Sequence, residues 1–281
     1  MIKLDQYADE LFKQESGIVK EHPQIMKFAL LLVLLIGTQP SHASGKEVVK
    51  FAIGEYPPYT STHNHEARVL ETLVKAAFLE QSIEVEYLHY PWKRSMALAR
   101  NGDVDGTFPW LKNADRQLDF YFSHEAVYQD KGVYWHLRTT PFDWNTSEDL
   151  RKYRFGVTVG YTRTQNYYKQ EGIEAASEVS EEQNFKKLLA GRIDVYRTSR
   201  VVGTYLVNNL FDESSRDRFV FHPKAADDSH FFVLFSKKTD RGKALESAFS
   251  TGLAKLKASG KYKDIIQDLD HFRSQVVPER R

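Results

Sequence analysis

Hydrophobic and polar positions change their period several times along the chain. Residues 47–54, EVVKFAIG, alternate and are rich in β-branched and aromatic side chains, which predicts a strand; EYPPYT (55–60) then breaks it. In EARVLETLVKAAFLEQ (66–81), Val69, Leu70, Leu73, Val74, Ala77 and Phe78 fall at helical spacing. IEVEYLHY (83–90) alternates as a strand again. Pro91 suits the first turn of a helix over PWKRSMALARN (91–101), which Gly102 ends, and VDGTF (104–108) is the next strand.

A second unit repeats this order. LRKYRFGVTV (150–159) predicts a strand ending at Gly160, QNYYKQEG (165–172) carries a helix, and EEQNFKKLLAG (181–191) is a helix closed by Gly191 before the strand RIDVYRT (192–198). ALARNGDVDGTF and KKLLAGRIDVYR therefore share one device: helix, glycine in a left-handed cap, Asp, strand. The last third predicts a strand over HFFVLFS (230–236) and one long amphipathic helix over GKALESAFSTGLAKLKASGKY (242–262). Strands alternating with helices predict an α/β fold with largely parallel sheets. No low-complexity linker separates the units, which suggests chain crossings between them rather than independent beads.

The apolar run FALLLVLLIG (28–37) is too short for a comfortable membrane span. Lys27 precedes it, and Ser41 and Ala43 supply the small residues that a signal peptidase reads, so 26–43 is expected to be a cleaved signal peptide. Met26 is an alternative start, which would make 1–25 an upstream extension; an uncleaved anchor is the other reading of the apolar run. The mature protein is expected to begin near Ser44 and to be exported to the periplasm.

The chain has 281 residues, 41% hydrophobic and 27% charged, enough for one large domain or two modest ones. Its formal charge of +1 and the lack of any basic run give no field to recruit nucleic acid or an anionic membrane. Cysteine is absent, which excludes disulfides, thiolate metal sites and a thiol nucleophile.

IGEYPPYT, GDVDGTFPWLKNADRQLDFYFSHEAVY, SEDLRKYRFGVTVGYT, LLAGRIDV and LAKLKASGKYKDII occur in one order along the chain. In that order they resemble the extracellular solute-binding proteins of the polar amino-acid type, family 3, which serve ABC transporters. The resemblance covers the chain from about Val48 to Leu269. It implies a type II periplasmic-binding-protein fold, the Venus flytrap: two lobes, each a mostly parallel sheet flanked by helices, joined by two hinge strands. Lobe 1 would comprise 44–137 and 230–281 and lobe 2 would comprise 138–229, with crossings near 136–140 and 225–230. The implied role is capture of a small carboxylate-bearing solute, an amino acid or related organic acid, by hinge closure. A monomer with no cofactor would then deliver it to a membrane permease.

Ligands of open α/β sheets bind beyond the carboxyl ends of the strands. Tyr56, Tyr59, Trp92, Phe108, Trp110, Arg116, Thr162, Arg163, Arg197 and Ser199 all fall at such ends. Arg116 matches the family arginine that grips the ligand carboxylate, a task suited to a guanidinium fork; without the family it reads as a surface arginine near Asp119. Thr162 matches a loop residue that meets the same carboxylate, at the start of a helix whose amides favour an anion, and is equally compatible with an ordinary cap. The aromatic residues would enclose a flat, apolar or cationic ligand body, or else belong to the core.

Ser199 departs from the pattern. Amino-acid binders of this family usually have an aspartate there for the ligand's ammonium group, and its replacement puts an α-amino acid ligand in doubt. Arg197 and Arg200 beside it favour a second negative group, or are solvated, or pair with acids such as Glu181 or Glu182. Pro109 and Trp110, where the family often has small hydroxyl residues, depart in the same direction.

Competing chemistries are weaker. His63 and His65 lack a clear third metal ligand. Asp103 and Asp105 belong to the turn device, and Asp227 and Asp228 lie near an expected hinge. GxSxG, HExxH and phosphate-loop motifs are absent, so no catalytic residue or metal site is assigned. Two alternatives stay open. One is a dehydratase-like enzyme on the same fold, which an acid with a raised pKa in the cleft would support. The other is a ligand sensor docking on a receptor.

Overall fold

The computed structural model describes residues 47–275, so the expected extension (1–25) and signal peptide (26–43) lie outside the described residues. β1 (Val48–Ile53) is the alternating strand expected at the start, with Val49, Phe51, Ala52 and Ile53 fully buried. α1 (Val69–Leu79) buries all six residues that the helical spacing singles out. β2 (Glu84–His89), α2 (Trp92–Asn101) and β3 (Gly106–Leu111) follow as the pattern predicts. Gly102 caps α2 at φ 85°, a conformation that a Cβ would strain. Gly191 repeats it at φ 65° before β8, so the shared device is real in both places.

The remaining elements of the first half are α3 (Ala114–Asp119), β4 (Phe120–Phe122) and the ten-residue β5 (Tyr128–Leu137). The second unit contains α4 (Ser147–Leu150), β6 (Phe155–Thr158), α5 (Thr162–Glu171), β7 (Ala175–Glu178), α6 (Glu181–Leu189) and β8 (Val195–Ser199). It continues through α7 (Arg200–Leu210), α8 (Glu213–Arg216), β9 (Phe219–Phe221) and the ten-residue β10 (Asp227–Ser236). α9 (Gly242–Ser259) and α10 (Lys261–Gln275) close the described chain. The single long helix expected over 242–262 is two helices, because Gly260 adopts φ 83° and stops the first. Among the described residues no helix is long and apolar enough to cross a membrane.

The strands run in the order β2-β1-β3-β10-β5-β8-β6-β7, with β4 also on β10 and β9 on β5. Each flank is parallel: β2, β1 and β3 on one side, β8, β6 and β7 on the other. The middle is antiparallel and is built by the two long strands. β5 pairs with β10 along Tyr128–Gly132, then changes partners to β8 and β9 over Gly132–Leu137. β10 mirrors it, pairing with β5 over Asp227–Phe231 and with β3 and β4 beyond. The change of partner within β5 thus falls at Gly132, a few residues before the stretch 136–140. Both long strands pass from one parallel flank to the other, and this brings the carboxyl ends of both flanks to one place.

Candidate functional site

One cavity of about 190 Å³ lies where the two flanks meet the long strands. Its floor is one face of the antiparallel middle. Gly132 pairs with Ser199 on β8 and Asp227 on β10, Asp130 pairs with Ser229, and Tyr128 pairs with Phe231, so these side chains share a face. Gly132 has no room for a side chain, since a Cβ would come within 2.3 Å of Arg197 and 2.5 Å of Asp227. The space above it is filled by that ion pair, in which Arg197 Nη2 donates to Asp227 Oδ1 at 2.5 Å. Burial opposes the charge on Arg197, but Asp227 more than offsets it and raises the pKa.

The first wall comes from the loop beyond β1, the start of α2 beyond β2, and the end of β3 with the residues that follow it. Trp92 lies flat on Gly54, where any Cβ would strike the indole at 2.4 Å. The Trp92 indole N–H donates to the Glu55 carbonyl at 3.2 Å, and that of Trp110 donates to Thr107 Oγ1 at 2.9 Å. The two indoles meet edge to face with centroids 5.0 Å apart, and Tyr56 meets Trp92 at 6.2 Å. With both indole N–H groups spent on the protein, the two tryptophans offer ring faces and edges rather than donors. The Arg116 guanidinium stacks 4.5 Å from the Trp110 ring centre and donates to the Leu111 carbonyl at 2.6 Å. Burial, and then the nearby Arg100, lower its pKa.

The opposite wall is the loop beyond β6 and the start of α5: Val159, Gly160, Tyr161, Thr162, Arg163 and Thr164. Tyr161 precedes the helix without a side-chain cap, so the first amides of α5, whose residues line the cavity, are unclaimed by a capping side chain. Tyr161 instead donates to Glu181 at 2.8 Å, and Thr198 Oγ1 donates to the same oxygen at 2.5 Å. Burial raises the Glu181 pKa despite these donors. Glu181 is not among the lining residues; Tyr161 is.

The structure brings Tyr56, Trp92, Trp110, Arg116, Thr162, Arg163, Arg197 and Ser199 to this one cavity. Two expected residues do not reach it. Phe108 is fully buried in the main core, edge to face with Phe51 at 5.4 Å and Tyr87 at 5.7 Å. Tyr59 is also fully buried, behind Tyr56, with its hydroxyl on Asp130 at 3.0 Å. Of the alternatives left open for Arg197, pairing with an acid is the one observed, and the acid is Asp227 rather than Glu181 or Glu182; Arg200 lies 5.9 Å from the Phe221 ring centre. Asp105 holds the Lys50 amide and Arg241, as its place in the turn device implies.

Sequence reasoning missed Tyr161, Ser229 and Phe231. The last two carried a signal in their spacing. Polar or aromatic residues every second position in two long strands mark a face, once those strands are known to pair.

No family model matches the chain, and no curated protein matches it. Solved structures do. A histidine kinase sensor domain with similarity to periplasmic binding proteins superposes with a TM-score of 0.67 at 18% identity, covering 83% of this chain and 99% of that one. The ligand-binding core of GluR0 from Nostoc punctiforme, in complex with L-glutamate, gives 0.66 at 15% identity, with 79% and 98% covered. The amino acid ABC transporter substrate-binding protein AbpA from Streptococcus pneumoniae, bound to L-arginine, gives 0.65 at 18% identity, with 83% and 97% covered. The chain therefore has the α/β, two-lobed fold of periplasmic binding proteins, a fold that accommodates ligands as unlike as glutamate and arginine.

Proposed function

We propose that this chain is an exported, periplasmic solute-binding protein for a small carboxylate-bearing organic solute, which it releases to the permease of an ABC transporter. Residues 44–137 with 230–281 would form lobe 1 and residues 138–229 lobe 2, with 26–43 removed on export. The observation that carries this reading is a cavity walled from both flanks by carboxylate-seeking groups. Arg116 stands on one wall, and the uncapped start of α5 on the other. A solute held by both walls is bound more tightly when they approach, so binding favours closure about β5 and β10. The aromatic wall of Tyr56, Trp92 and Trp110 receives the body of the solute. Binding proteins for amino acids among the structural neighbours support the class of ligand.

The sensing alternative differs in its partner rather than its site, and the likeness to a kinase sensor domain favours it over the enzymatic one. The acid with a raised pKa, Glu181, is held by the Tyr161 and Thr198 hydroxyls and is not among the residues lining the cavity, which counts against acid–base chemistry there. A thermal-shift screen of the purified protein against amino acids, dicarboxylates, aromatic acids and sugars tests the reading. Saturable stabilisation by carboxylates is expected. Stabilisation by sugars alone, or by nothing in the panel, overturns it.

A further inference from the structure

Glu181, the first residue of α6, does not line the cavity but holds a residue that does. Its Oε1 accepts from the Tyr161 hydroxyl at 2.8 Å and from Thr198 Oγ1 on β8 at 2.5 Å. A side-chain hydrogen bond also joins Tyr161 to Tyr56 of the first wall. One chain of hydroxyls thus runs from the first wall through Tyr161 to a carboxyl group anchored on β8. Three residues further along α6, Asn184 donates to Thr158 Oγ1 at 3.2 Å, and Thr158 meets the Tyr196 hydroxyl at 2.8 Å. Thr158 ends β6, so the loop between β6 and α5 is tied to α6 at its beginning, through Thr158, and at its end, through Tyr161.

Tyr161 stands at the position from which a short polar side chain would cap α5, and its hydroxyl is tied to Glu181 instead. That leaves the first amides of the helix for an anion. The titratable and charged groups that face Glu181 are Tyr161, Tyr196 and Arg197, with Tyr56 beyond Tyr161. Arg197 is the one cation among them, and Asp227 holds it. A solute carboxylate at the start of α5 therefore faces a second carboxyl group one tyrosine side chain away. Two ionised carboxylates repel, whereas a neutral Glu181 still accepts from Tyr161.

We propose that Glu181 is a positioning residue: through Tyr161 it holds the wall that receives the solute carboxylate, and its own protonation state sets how tightly that carboxylate is held. This rests on the solute-binding reading above and adds a regulation of the same site. Protonating Glu181 keeps an acceptor for Tyr161 and removes the repulsion. Affinity is then highest below the folded pKa of Glu181 and falls as pH rises through it, and solute binding takes up a proton. Burial already raises that pKa, so the window lies above the ordinary 4.5. Glutamine at this position keeps the acceptor without the charge, and alanine removes both, so the two substitutions separate positioning from charge.

The test is calorimetry from pH 4.5 to pH 8 in buffer of low ionic strength, using whichever binds best of L-phenylalanine, L-arginine, L-glutamate, glutarate and 3-phenylpropanoate. Affinity is read as the ratio of the parent to Glu181→Gln, which cancels titration of the solute and of other groups. The two should bind alike at pH 4.5. By pH 8 the parent should bind about four- to fifteenfold more weakly, the range for like charges roughly 10–20 Å apart at an effective dielectric constant of about 20. Glu181→Ala should bind about three- to tenfold more weakly than Glu181→Gln at every pH, the loss of one hydrogen bond. If the alanine variant does not fold, Tyr161→Phe, which removes only the hydroxyl, takes its place with the same expected loss. A parent-to-glutamine ratio that stays flat with pH, or an alanine or phenylalanine variant that binds as tightly as Glu181→Gln, overturns the proposal and leaves the carboxylate reading intact. Binding of none of the five solutes at any pH overturns that reading and this inference with it.

Discussion

Arg116 reaches the cavity with one guanidinium nitrogen on the Leu111 carbonyl and its plane against Trp110, so the fork is held in place before any ligand arrives. A carboxylate meeting it in a closing cleft loses water, and the pair strengthens electrostatically. Removing one partner of such a buried charged pair costs about 2–5 kcal/mol. Arg116→Ala should therefore weaken solute binding by roughly thirtyfold to several thousandfold. Arg116→Lys should rescue part of this, since an ammonium keeps the charge but loses the fork. The melting temperature without ligand should hardly move, because α3 buries none of its residues. Affinity and unliganded melting, measured side by side for both variants, check this. Unchanged affinity would return Arg116 to the surface, and a collapsed melting temperature would make it structural.

Among the elements, the junction of α9 and α10 is set by one residue. Gly260 adopts φ 83° with open space around its Cα, so a Cβ there would meet backbone strain and no steric clash. Gly260→Ala should accordingly destabilise the fold by about 1 kcal/mol, the ordinary penalty for a non-glycine residue in the left-handed region. Chemical denaturation with an unchanged m-value would show this. No loss of stability would mean that the two helices tolerate fusion. A period-based reading runs through this glycine because core-packing residues stand on both sides of it: Leu253 and Leu256 before, Tyr262, Ile265 and Ile266 after. The pattern records which faces are buried, and a change in chain direction leaves that record intact.

For the molecule as a whole, Glu181 links stability to pH. Its pKa is raised in the folded state by burial, while the unfolded chain titrates near the ordinary value of 4.5. Above that value the unfolded state has lost the proton that the folded state still holds. The contribution of this group to stability is therefore fully present at lower pH and is lost as pH rises from about 4.5 through the folded pKa. Glu181→Gln keeps an oxygen for the Tyr161 and Thr198 hydroxyls and cannot ionise. It should remove this component, so the stability of the variant relative to the parent should climb with pH across that window. Denaturant midpoints from pH 4 to pH 7 test this, and parallel profiles for the two proteins would place the Glu181 charge in solvent.

Periodicity and punctuation sufficed for the flanks: β1, α1, β2, α2 and β3, and the glycine-capped device before β3 and β8, are all local decisions of a short stretch of chain. Strand ends were legible too, and they placed Trp110, Arg116, Thr162 and Ser199 at a common edge, since ligands of such sheets gather there. Three things were decided only in three dimensions. Phe108 and Tyr59 went to the core, because which side of a strand or loop faces inward depends on what packs against it. Arg197 found Asp227, thirty residues away, because β5 lies between their strands and offers a glycine at the crossing point. Asp130 came to lie behind Ser199 through the pairing of β5 with β8, sixty-nine residues apart. Propensity and period act over a turn or two of chain, whereas the charge on a cavity floor is a sum over strands that meet only when the sheet is complete.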